Sequence, residues 1–260
     1  MTLPSVLVLP QWLDDQRGMP NALVRAALFN VASATTGKRQ LLQQRLLHSV
    51  DGLAVRYTGA ELRQDDQDVF LQILHLARSQ ELGETVRFTC NSMLKALGWT
   101  INKESYARLD TTIAILTATA LSVTFSALGK SVTYGGSLVR NYKAFDNDKV
   151  MLKRWEVQLE PEILVLFGAT TYTRINWEMR LALSPLGKGL YAFYSTHHIP
   201  MSYSVIKLHE LLGSKTKSIP SFRQKLKIAL QTLVDKSFLV SFNVNPKTDV
   251  VNVVRQGSQH

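Results

Sequence analysis

Apolar positions along the 260-residue chain switch between two spacings, and each switch marks an element. At the front, "MTLPSVLVLPQW" is a short apolar run broken by Pro4 and Pro10, with Pro20 close behind. Residues 1–19 therefore read as a tail, which either packs back through Trp12 or docks to a partner. "PNALVRAALF" opens on Pro20 and sets Leu23, Ala27 and Leu28 on one side, which predicts a short helix. Residues 40–48 follow the flexible stretch "SATTGKRQ" and read as a second helix or a loop. "LAVRYTG" predicts a strand. "RQDDQDVFLQILHLARSQ" is the clearest helix: Val69, Ile73, Leu76 and Ala77 form its stripe. Asp65, Asp66 and Asp68 sit at its positive end and Arg78 at its negative end.

The pattern continues with "TVRFTCNSMLKALGW", a strand running into a helix that Gly98 stops. "NKESYARLDTTIAILTATAL" is a longer helix striped by Leu109, Ile113 and Leu116. "LSVTFSALGKSVTYGGSLVRNYKAF" alternates like two strands joined by a glycine turn. "RWEVQLEPEILVLF" predicts a strand and a short helix, and "SPLGKGLYAFYSTHH" a helix opened by Ser184 and Pro185. "SVIKLHELLG" ends at Gly213, a long helix spans about 218–236, and "FLVSFNV", "NPKT" and "DVVNVV" form a closing hairpin.

Each half thus reads helix, short strand, helix ending at Gly, longer helix, strand, turn, strand. That is the order of a winged helix, with a helix-turn-helix and a β-hairpin wing. The expected fold class is α+β, two tandem winged-helix domains over residues 20–160 and 161–260.

Charge sharpens this picture. The net charge is +10, which suggests a polyanionic partner, nucleic acid or an anionic membrane. Residues 1–150 hold 16 Lys/Arg against 13 Asp/Glu, while residues 151–260 hold 14 against 7, so the excess lies in the second half. "IAILTATALSVTF" is too short and too interrupted to span a bilayer, and the N-terminus lacks a signal pattern. The single cysteine, Cys90, excludes an internal disulfide and fits a reducing cytoplasm as a half-buried structural thiol.

The stretch "SKTKSIPSFRQKLKIALQTLVDK" concentrates the positive charge. On a wheel of about 100° per residue, Phe222, Leu226, Ala229, Leu230 and Leu233 face the core. Lys215, Lys217, Arg223, Lys225 and Lys227 gather toward the front of the helix, with no acid between Leu211 and Val234. In a helix-turn-helix that end enters the major groove. Lys and Arg bind phosphate or guanine, and Gln224 reads adenine. Ser218, Ser221 and the first-turn amides bind phosphate. Lys247 in the second wing is placed to reach a neighbouring backbone. Five phosphate contacts imply a salt slope near about −4 to −5. A solvated basic face is the competing reading. In the first half, Lys103, Tyr106 and Arg108 on the equivalent helix, and Lys130, Arg140 and Lys143 from its wing, are DNA-contact candidates. Glu104 and Asp110 leave open a protein partner for that helix instead.

No catalytic site emerges. Around Gly37-Lys38, Ala32 stands where a phosphate loop needs Gly, and Arg39 where it needs Ser/Thr. His197 and His198 are adjacent, a poor spacing for one metal, and suit a helix end. No metal or cofactor is expected, and the chain reads as a non-enzyme.

"RGMPNALVRAALF", "YTGAELRQDDQDVFLQILHLAR", "GSLVRNY", "YTRINWEMRLALSPLGKGLYAFYSTH" and "FRQKLKIALQTL" together resemble the TrfA family of plasmid replication initiators, over about residues 10–254. The resemblance implies a protein that binds iterons, the direct repeats of an origin, as double-stranded DNA. It implies melting of adjacent AT-rich DNA, a monomer–dimer equilibrium, and recruitment of DnaA, the DnaB helicase and the sliding clamp. "SVLVLPQW" is a loose match to a clamp-binding peptide, with Leu7, Leu9 and Trp12 as its docking residues. A winged-helix transcriptional repressor is the nearest alternative, and a DNA-nicking enzyme the more distant one.

Overall fold

The computed structural model describes residues 7–33, 37–127, 129–146, 148 and 150–256. The first strand is β1 (Gln16–Pro20), so residues 7–19 of the expected tail are part of the fold, and residues 1–6 lie outside the described residues. Leu9 and Trp12 are buried, and Pro20 leads into a single turn of helix, α1 (Asn21–Val24). Strands β2 (Phe29–Asn30), β3 (Leu41–Leu46), β4 (Leu53–Ala60) and β5 (Leu62–Arg63) follow. β3 corrects the expected helix or loop at 40–48: its backbone pairs antiparallel with β4, through a bulge at which Gln44 takes φ +46°. Leu41 and Leu46 lie exposed on this strand.

Helix α2 (Gln64–Ala77) is the central element. It packs against β1, β2 and β5, and almost every side chain along it is buried, although Leu76 of the predicted stripe is only half-buried. The acids expected only to stabilise its positive end are internally paired. Asp66 accepts the Arg63 amide at 2.7 Å and binds Arg39, while Asp68 binds Arg180 and Lys188. Buried carboxylates persist only with such partners.

Next come β6 (Val86–Phe88), α3 (Cys90–Ala96) and α4 (Lys103–Thr117). Thr89 and Asn102 cap the two helices, and Gly98, at φ +67°, turns the chain between them. Leu109, Ile113 and Leu116 are buried as the stripe predicts. Then follow β7 (Ala120–Ala127), β8 (Lys130–Gly136), β9 (Asn141–Phe145) and β10 (Met151–Gln158).

The β7–β8 hairpin does not close on the helix pair. It extends a four-stranded sheet of order β3-β4-β7-β8. The hairpin that pairs with β6 is β9–β10, in the order β6-β10-β9. The stretch expected to form one hairpin, residues 121–145, is thus divided between two sheets, with β7 and β8 in one and β9 in the other.

After a 3-10 turn at Pro161–Phe167, β11 (Tyr172–Asn176) pairs antiparallel with β1. Helices α5 (Trp177–Leu181) and α6 (Pro185–Ser195) lead to β12 (Tyr203–Ser204), α7 (Val205–Leu211) and α8 (Ile219–Asp235). β13 (Leu239–Val244) and β14 (Val250–Arg255) close the chain in a sheet of order β12-β14-β13. Both halves thus place the strand before the helix pair against the last strand of the hairpin. The buried apolar side chains form one continuous cluster.

Candidate nucleic-acid interface

Ser218 caps α8 by accepting the Ser221 amide, and Pro220 occupies its first turn. Phe222, Leu226, Ala229, Leu230 and Leu233 turn inward as the wheel predicts. Behind them α6 and α7 pack on the buried side. The loop from Gly213 to Lys217 is held by His209, whose ring meets Phe222 edge-on and whose Nε2 lies 2.8 Å from the Thr216 carbonyl. Gly213 has φ +58°, and a Cβ there would sit 2.9 Å from the Asn30 Cβ, so both backbone and space require glycine.

The outer face carries Lys217, Ser218, Ser221, Gln224, Lys225, Lys227 and Gln231, all exposed. Ile228 is 69% exposed among them. Two of the five cations read as unpaired have partners. Lys215 binds Glu61, a residue between β4 and β5. Arg223 makes a two-pronged pair with Asp249, Nε and Nη2 each lying 2.7 Å from a carboxylate oxygen. That hydrogen bonding holds the Asp249 carboxyl below its usual range and raises the Arg223 guanidinium. Both acids lie outside the stretch 211–234, so the local sequence does not reveal them. Among the described residues, Lys217, Lys225, Lys227 and Lys247 make no ion pair. Lys247 is exposed in the β13–β14 turn.

The first half is a poorer polyanion surface. Lys103 is exposed at the start of α4. Tyr106 donates its hydroxyl proton to Asn91, and Arg108 binds Asp65 while stacking 3.9 Å over the Trp99 ring. Arg140 lies 3.8 Å from Glu160. Lys143 is exposed on β9, whereas Lys130 belongs to the β7–β8 hairpin on a different sheet. Lys153 and Arg154 are exposed on β10, which lies beyond the stretch 121–145 that the sequence pattern marks as the hairpin.

Leu9 and Trp12 do not form a free docking peptide. Trp12 is 6% exposed, stacks on Phe167 with centroids 6.3 Å apart, and donates its indole N–H to His75 Nδ1 at 3.0 Å. Leu7 packs on the same core, and Ser5 and Val6 of that string lie outside the described residues. Ala34 to Thr36 of the phosphate-loop-like string also lie outside them. His197 follows the end of α6 as expected, buried beside Phe193 and Tyr203 with Nδ1 2.9 Å from the Phe193 carbonyl, and burial lowers its pKa. Among the described residues no group of three His, Cys, Asp or Glu side chains is placed to hold a metal ion, and no helix is long and apolar enough to cross a membrane.

The sequence model of the family described as TrfA protein matches residues 1–255. The chain belongs to the TrfA family. It is 29% identical over 230 residues to the plasmid replication initiator protein TrfA of Escherichia coli. That match covers 88% of this chain and 59% of the relative, so the chain spans about three fifths of the relative's length. Among solved structures, domains 2–3 of RctB superpose with a TM-score of 0.59 at 11% identity, covering 91% of this chain and 97% of that one. A selenomethionine derivative of the same domains gives 0.57 at 13% identity, covering 91% and 99%. At such identities the likeness speaks for the fold alone.

Proposed function

We propose that the chain is a plasmid replication initiator that binds direct-repeat origin DNA through two tandem winged helices. The division at residues 160 and 161 is supported by the matching strand orders β6-β10-β9 and β12-β14-β13, each closing around a helix pair. The observation that carries the reading is α8, in which Lys225 and Lys227, with Lys217 just ahead, lie exposed and without acid partners on the first half of a 17-residue helix. Such a front enters the major groove. Ser218, Ser221, Gln224 and Arg223 lie on or beside the same face, and Lys247 extends the surface to the hairpin.

In this reading the second half supplies the principal contacts. The first half adds a weaker footing through Lys103, Lys143, Lys153 and Arg154. The account needs no catalytic residue, metal or nucleotide. The protein works in the cytoplasm, on double-stranded DNA, and recruits DnaA and the DnaB helicase through surfaces other than the buried Trp12 segment.

Footprinting on the replicon that encodes the chain tests this reading. Protection of several direct repeats, lost on scrambled DNA, is the expected result. Protection of one palindrome would instead identify a repressor, and nicking of supercoiled origin DNA with Mg²⁺ would identify an enzyme.

A further inference from the structure

Asp249 is out of place on a surface built for a polyanion. It puts a carboxylate against the one arginine of α8 and close enough to Lys227 to feel that charge too. It also takes φ +56°, a left-handed conformation that glycine or asparagine adopts more easily. The turn around it is fully bonded. Asn245 Oδ1 accepts the Lys247 and Thr248 amides at 2.8 and 3.1 Å, and the Asn245 carbonyl accepts the Asp249 amide at 2.9 Å. The Asp249 carbonyl accepts the Val205 amide at 2.9 Å, which ties the turn to the start of α7.

Stability does not account for the carboxylate, because exposed ion pairs contribute little. Affinity for a polyanion does not account for it either, since it cancels one cation. Orientation does. A guanidinium carries five N–H donors in a rigid plane. Asp249 occupies Nε and one Nη2 proton. The Nη1 protons and the second Nη2 proton remain, and they form the edge that matches O6 and N7 of guanine.

We propose that Asp249 is a positioning residue that converts Arg223 from a mobile phosphate anchor into a reader of one G·C pair. The idea rests on α8 entering the major groove. It adds that sequence discrimination at one base pair depends on the hairpin turn, which never touches that base.

The test compares wild type, Asp249→Asn and Arg223→Lys on an origin-repeat duplex and on a scrambled duplex of the same composition, with thermal melting alongside. Asparagine tolerates the left-handed backbone, so the fold is retained. Both variants are expected to bind the scrambled duplex as well as wild type or better. Their preference for the repeat falls about tenfold. Replacing one particular G·C pair in the repeat weakens wild type by a similar factor and leaves both variants unaffected.

An unchanged preference in Asp249→Asn would overturn the proposal while leaving the interface intact, and so would an equal loss on both duplexes with a lower melting temperature. A wild-type protein that failed to prefer the repeat at all would overturn the underlying reading as well. Arg223→Lys retains the charge without the fork, so an unchanged preference in that variant overturns the proposal even if Asp249→Asn fails to fold.

Discussion

Arg180 Nε lies 2.7 Å from Asp68 Oδ1, with the two side chains 0% and 1% exposed. Lys188 holds the other carboxylate oxygen, and Arg180 also donates to Gln64 and Gln67 at 3.2 and 3.0 Å. The arrangement fastens α5 and α6 to the middle of α2 across 112 residues of sequence. Removing the single acid strands two buried cations. Asp68→Ala is expected to cost about 3–5 kcal/mol in urea unfolding. A loss under about 1 kcal/mol would mean that water reaches the pair.

The N-terminal segment is expected to be structural. A Cβ on Gly18 would fall 2.5 Å from the Trp12 ring, so Gly18→Ala must displace the indole from between Phe167 and His75. Overpacking of this kind costs about 1–3 kcal/mol. Chemical denaturation with Trp fluorescence reads both the loss and the displaced ring. A neutral result would detach Trp12 from the core.

Acid should loosen the same contact. Burial, with Arg17 and Arg78 nearby, lowers the His75 pKa to about 4. The folded protein therefore keeps this imidazole neutral while the unfolded chain, titrating near about 6.5, takes up a proton. Stability present above that value declines as pH falls from about 6.5 toward 4, by up to one proton's worth of slope. Melting temperatures from pH 7 to 4.5 should fall less steeply for His75→Gln, which can still accept the indole N–H. Parallel curves for the two proteins would refute the assignment.

The helix stripes at Leu109, Ile113 and Leu116 and on α8 were legible because one amphipathic face packs on one core. α2 was only half legible. Its Asp and Gln residues follow the pattern of a solvated face, yet their cationic partners Arg39 and Arg180 are remote in sequence. β3 was not legible because almost all of its side chains are exposed, so no period-2 alternation marks it as a strand. The first hairpin was misplaced because β7–β8 alternates more regularly than β9–β10, whose register breaks between Met151 and Glu156. At the interface, cation positions were legible but their pairing was not. Glu61 lies 154 residues from Lys215, and Asp249 lies 26 from Arg223.

That pairing ranks the lysines. Lys215 is already neutralised by Glu61, whereas Lys225 is exposed without an acid partner. Lys225→Gln should therefore weaken origin binding more than Lys215→Gln, by about 1 kcal/mol at low salt. Titrations of both variants against the same duplex check the order. Equal losses would show that Lys215 leaves Glu61 when DNA arrives.

The most direct measurement is the salt dependence of origin binding for wild type and for Lys217→Gln, Lys225→Gln and Lys227→Gln combined. These three lysines and Lys247 should contribute about −4 to the slope of log K on log salt, with any first-half contacts adding to it, and the triple variant should lose about 3 of the wild-type slope. Equal slopes for the two proteins would contradict the account, since these lysines would then meet no phosphate.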